Sequence, residues 1–216
     1  MLAIRPATTL WRGFLILFNR CRTAAIKFLF IDTVMRAMLL IKKAVFFFVF
    51  LIPFIVNAQQ DDDLIKWSSD RKLRWSDYLA EPDSRSGAAA STSTQIGFEY
   101  HIRDNNLTYT ITCKFSKTKS WGRYKNDYIL SHEQGHFDIA EIYTRKLVKA
   151  LREYTFNASS YKNDLRKMYS DIMNDKEKLQ RQYDSETDYS RNKPKQEEWL
   201  KKIKKMLEES SAFADY

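Results

Sequence analysis

The stretch DYILSHEQGHFDIAEIYTRKLVKALREY, residues 127–154, decides the fold class. Tyr128, Leu130, Phe137, Ile139, Ile142, Tyr143, Leu147 and Leu151 recur at helical spacing, which predicts one long amphipathic helix with Asp127 as its N-cap. Within it, HEQGH at 132–136 sets His132 and His136 one turn apart on the same face, with Glu133 beside them. A glycine inside a helix costs about 1 kcal/mol relative to alanine, so Gly135 implies close approach by a strand or a bound molecule.

Upstream, GFEYHIR at 97–103 and LTYTITCKF at 107–115 alternate in the strand period and are separated by Asp104, Asn105 and Asn106, which predicts a hairpin. Cys113 alternates with apolar neighbours and reads as a small buried hydrophobe. Trp67 and Trp75 read as core packing, and 84–94, rich in Ser, Ala and Thr, as a loop. Downstream, helical patterns run over 160–182 and 195–209, with YDSETDYSRNKP at 183–194 as a polar loop between them. The fold class is therefore α+β: a small antiparallel sheet packed on the long helix, with further helices at the C-terminal end.

Two histidines at i and i+4 can converge on one tetrahedral metal ion, and the adjacent glutamate can take a proton from the attacking water. Zinc lowers the pKa of such a water to about 7 and polarises a carbonyl, so the expected cofactor is zinc and the expected role of Glu133 is general base. A catalytic zinc site takes three protein ligands, and the third is open at this point. The pattern that would place a glycine at 139 and a histidine at 142 is absent, because both positions hold isoleucine. Glu141 lies about 140° around the helix from His136 and four residues before Arg145, the spacing of an exposed ion pair. His101, the third histidine of the chain, lies on a predicted strand.

Charge and hydropathy divide the chain into three parts. Residues 1–58 contain eight Lys or Arg and a single acidic residue, Asp32; removing them from the totals of 36 and 27 leaves 28 basic and 26 acidic residues in 59–216. That near balance excludes nucleic acid as an expected partner. Lys42 and Lys43, the apolar run 44–56 and then Ala58 follow the order of a cleavable export signal, and the run is shorter than the roughly 20 residues a spanning helix needs. The expected organisation is an upstream extension at 1–37, a signal at 38–58 and a domain at 59–216 that is exported to the periplasm or secreted. Its expected partner is a peptide or protein substrate, and it meets the membrane only through the signal segment.

HEQGHFDIAEIYTRKL at 132–147, the tail YDSETDYSRNKPKQEEWLKKI at 183–203, LRWSDY at 73–78 and Ser120-Trp121 together resemble a bacterial family of predicted secreted zinc-dependent proteases catalogued as a domain of unknown function. The resemblance covers nearly all of 64–203 and implies a zincin-like fold and peptidase activity. It also implies a third ligand, because the family's tail reads Thr, then Asp or Asn, then His, where this chain has Thr187, Asp188 and Tyr189. Tyr189 is accordingly the first candidate for third ligand or oxyanion donor, with Asp188, Asp184 and His101 as alternatives. The rival reading is a non-catalytic envelope or interaction protein that keeps the fold with a weakened metal site.

Overall fold

Strand alternation and one central helix organise the chain, as the computed structural model of residues 63–216 describes it. The expected upstream extension at 1–37 and the expected signal segment at 38–58 lie outside the described residues. Among the described residues no helix is long and apolar enough to cross a membrane. In chain order the strands are β1 (Leu64–Lys66), β2 (Ala90–Ser91), β3 (Thr94–Arg103), β4 (Asn106–Ser116) and β5 (Trp121–Gly122), followed by helices α1 (Asp127–Glu153), α2 (Tyr161–Glu186) and α3 (Lys193–Glu209).

β4 is the middle strand of an antiparallel sheet of order β1-β4-β3, with Ile65 opposite Phe115 and Ile96 opposite Cys113. The hairpin turn is tighter than the sequence suggests. Asp104 and Asn105 take φ of 51° and 59°, and Asn106 already pairs with Arg103. Two central residues at positive φ are the turn whose twist matches paired strands, and Asp and Asn tolerate it better than other side-chain-bearing residues. β2 and β5 make a separate two-stranded ladder, in which Gly122 lies against the Trp75 ring.

The sheet turns Ile111, Cys113 and Phe115 toward α1, and all three are buried. Phe137 and Ala140 meet Cys113, Phe115, Ile65, Leu73 and Tyr78 on one side of α1. Ile139, Ile142, Tyr143 and Leu147 pack with Leu165 and Tyr183 of α2 and with Trp199 and Ile203 of α3. Burying a side chain of this size contributes about 1.5–3 kcal/mol, so the motif helix is clamped on both sides. Cys113 is free and wholly inaccessible, as its strand period implies.

Three boundaries differ from the sequence reading. The N-cap of α1 is Asn126, whose side chain accepts from Ile129 N at 2.9 Å, and Asp127 is the first helical residue. α2 continues one turn past residue 182, and Thr187 closes it by donating its hydroxyl to the Tyr183 carbonyl at 2.7 Å. α3 begins at Lys193 with Pro194 in its first turn, where a missing N–H costs nothing. Glu141 and Arg145 also pair differently from expectation. They are bonded at 2.8 Å, but both are buried, because Arg145 reaches the Leu207 carbonyl and the Tyr216 hydroxyl donates to Glu141. The C-terminal segment covers what would otherwise be an exposed helix pair.

Candidate metal centre

α1 carries His132 and His136 on the face that meets α2. His132 stacks on Tyr183, with ring centroids 4.4 Å apart and planes 21° apart. The fit of Tyr183 also accounts for Gly135, since a Cβ there would stand 2.6 Å from the Tyr183 hydroxyl and 3.0 Å from its ring carbons. The close neighbour is therefore a side chain of α2, not the strand or bound molecule expected from sequence. Gly135→Ala should lower stability by about 1–3 kcal/mol through overpacking, reduced by the better helix propensity of alanine. Thermal unfolding checks this, and an unchanged melting temperature would show that Tyr183 moves aside freely.

The one-turn extension of α2 brings Asp184 to both imidazoles. Its Oδ1 lies 3.2 Å from His132 Nε2 and 3.0 Å from His136 Nε2, and the two Nε2 atoms are 3.2 Å apart. A tetrahedral ion with bonds of about 2.0–2.1 Å to its ligands needs donor atoms roughly 3.3 Å apart, so these three atoms form one face of such a site. His132, His136 and Asp184 are thus able to hold a metal ion.

Neighbouring groups set the donors' orientation and charge. His136 Nδ1 donates to Gln180 Oε1, and Gln180 Nε2 donates in turn to the His136 carbonyl at 2.9 Å. Since that oxygen can only accept, the Nδ1 hydrogen is assigned and the Nε2 lone pair of the neutral ring faces Asp184 and His132. Burial opposes protonation of His136, but the Asp184 carboxylate, together with Glu133 and Gln180, outweighs it and raises the pKa. Burial likewise works against the Asp184 anion, yet the two imidazoles hold its carboxyl well below the usual range. A cation at this site would meet a carboxylate already ionised and would compete with protons for the His136 lone pair, so its affinity should weaken as the pH falls. Gln180→Ala should reduce metal affinity by about 10- to 100-fold while preserving the fold. Titration with zinc and a competing chelator measures this, and wild-type affinity would show that Gln180 does not orient the ligand.

Glu133 is buried, and its Oε2 has no hydrogen-bond partner. Burial, with the Glu133 charge second, pushes up the pKa of both Tyr78 and Tyr183, so these phenols stay neutral around it. His132, Glu133, His136, Gln180 and Asp184 line a pocket of about 400 Å³ whose opposite wall is the segment from Ala88 to Thr94.

Of the other sequence candidates, Tyr189 borders the pocket, whereas Asp188 and His101 do not line it. Tyr189 is 57% exposed; it lines the same pocket, but Asp184 is the side chain that meets the imidazoles. Tyr189 follows the end of α2, in a turn where Asp188, Tyr189 and Ser190 all have positive φ. Asp188 pairs with Arg191 at 2.8 Å. His101 is exposed beside the hairpin turn, seven residues along β3 from the pocket residue Thr94, which is roughly 23 Å of strand. Sequence reasoning missed the roles of Gln180, Gln134 and Asp138. Asp138 accepts from Trp67 Nε1 and from Gln134 Nε2, both at 2.8 Å, and Gln134 accepts from Leu73 N, so the motif helix also anchors the segment before β2. The i, i+4 spacing of 134 with 138 and of 180 with 184 was the available signal.

A family model described as bacterial protein of unknown function (DUF922) matches residues 65–191, more than half of the chain. The chain belongs to DUF922. No curated protein and no solved structure matches it. The DUF922 region runs from β1 through the left-handed turn after α2, so it contains all three donor residues and Glu133, whereas α3 lies beyond it. The family description carries no activity.

Proposed function

We propose that this DUF922 protein is an exported zinc-dependent hydrolase of zincin type that cleaves peptide bonds. The observation that carries the reading is the meeting of His132, His136 and Asp184 at 3.0–3.2 Å beside a buried glutamate whose Oε2 is unpartnered. Two imidazoles and a carboxylate are a donor set zinc favours, and a fourth position is left for water or substrate. When bound, zinc supplies a water nucleophile near neutral pH and polarises the scissile carbonyl. Glu133 accepts the proton of the attacking water and returns it to the departing amine nitrogen, as its place beside the triad allows. Gln180 holds His136 in orientation, and Tyr183 supports the ring of His132.

The non-catalytic alternative draws its motive from Tyr189 standing where a histidine ligand is expected. Asp184 provides a third donor, which favours the catalytic reading. The order of charges, apolar run and Ala58 supports export. The protein recovered from a secreting host should begin at Gln59, hold close to one zinc per chain by elemental analysis, and hydrolyse members of a broad peptide library. A protein that neither carries nor takes up zinc would refute the proposal.

A further inference from the structure

The metal pocket does not end at the triad. Ala88, Ala89, Tyr189 and Ser190 line both it and a second pocket of about 1140 Å³, so a chain bound across Glu133 can continue from one into the other. One wall of the second pocket is small: at Gly87 an added Cβ would meet nothing within 4 Å. Facing it are Tyr124, 62% exposed, and Tyr128, whose hydroxyl oxygen is buried without a partner. Among the described residues, its charged lining groups are Arg191 and Lys193, whereas the metal pocket is lined by Glu133, Glu177 and Asp184 with Lys176. Lys193 stands 5.4 Å from the centroid of the Tyr128 ring, and Arg191 donates Nε to the Asp188 carbonyl at 3.0 Å and makes a largely exposed ion pair with the Asp188 carboxylate. Such a pair contributes little, which leaves both cations able to meet an incoming carboxylate.

We infer that this second pocket is a substrate subsite, continuous with the proposed hydrolytic centre, that selects an acidic side chain on one side of the scissile bond. The inference rests on the hydrolase reading for its chemistry and on the shared lining for its place. Continuity brings the substrate there, the tyrosines offer ring surface to its backbone and aliphatic atoms, and the two cations decide the charge it carries. Each accessible ion pair is worth up to about fivefold in affinity, so acidic over basic side chains should be favoured by about tenfold.

The test uses Glu133→Gln, loaded with zinc, and fluorescence anisotropy with two labelled peptides that differ only by Glu or Lys at one position, scanned along the sequence. At one position the Glu peptide should bind about tenfold more tightly, and adding Lys193→Glu should reverse the preference. The exposed first turn of α3 tolerates that change, since a negative charge suits a helix N-terminus. Gly87→Trp, placed where a side chain meets open space, should abolish the discrimination with zinc content unchanged. Equal binding of the two peptides at every position, no binding of either, or a preference that survives Lys193→Glu would overturn the subsite. Cleavage of the library by wild type without any acidic preference would sink this inference and leave the hydrolase reading standing. Acidic peptides bound through Lys193 by a wild type that cleaves nothing would do the reverse.

Discussion

Glu133→Gln should keep one zinc per chain and lose peptide hydrolysis by at least about 10²–10⁴-fold, the usual worth of a positioned general base. The substitution leaves His132, His136 and Asp184 untouched and changes a carboxylate oxygen into an amide of nearly the same shape. Because Glu133 is buried and its Oε2 bonds to no protein group, little else in the fold depends on its charge. Removing a buried charge should leave thermal stability equal or slightly higher. The pairing of retained metal and lost turnover separates a catalytic role from a structural one. Equal turnover in the variant would refute the assignment of the base, and joint loss of zinc and turnover would make Glu133 part of the metal site instead.

The second large effect is expected at Asp184. Asp184→Ala should lower zinc affinity by more than about 100-fold, because even groups that only orient a ligand are worth 10- to 100-fold. His136→Ala should do the same. Tyr189→Phe should leave zinc stoichiometry intact, since that ring is more than half exposed and the carboxylate of Asp184 already meets both imidazoles. With zinc at 100 times its dissociation constant, metal binding adds about 2.7 kcal/mol to stability. For a domain of this size each kcal/mol is worth about 2–4 °C in melting temperature, so a chelator should lower that of the wild type by roughly 5–10 °C and leave Asp184→Ala unmoved. Zinc held by Asp184→Ala and lost by Tyr189→Phe would return the third ligand to the turn.

Much of the fold was legible from periodicity. The apolar spacing of 127–154 and the alternation around Ile111, Cys113 and Phe115 each record which face a residue buries, and both elements formed where those patterns lie. Boundaries were less legible, because they depend on single hydrogen bonds. Asn126, not Asp127, caps α1 because its side chain is the one that reaches Ile129 N. Residues 183–186 read as loop since Tyr, Asp, Ser and Glu carry no helical apolar stripe, yet nothing between 161 and 193 is Gly or Pro to stop a helix. Tyr183, completely buried between His132 and Trp199, supplies the packing that carries α2 through them.

What the sequence determined by itself was everything set within one helix: His132 and His136 share a face, and Glu133 stands beside them, because 3.6 residues per turn leaves no other arrangement. What the tertiary structure alone decided was the partner for that face. Asp184 is 48 residues beyond His136, and whether it, Asp188, Tyr189 or His101 arrives there depends on where α2 ends and how it packs. Tyr183 filling the space that Gly135 leaves sets that packing, and the Thr187 hydroxyl on the Tyr183 carbonyl ends the helix one turn later than local propensity suggests. Local spacing fixes angles around one axis, whereas the approach of a second axis is settled by side-chain volume and burial summed over both.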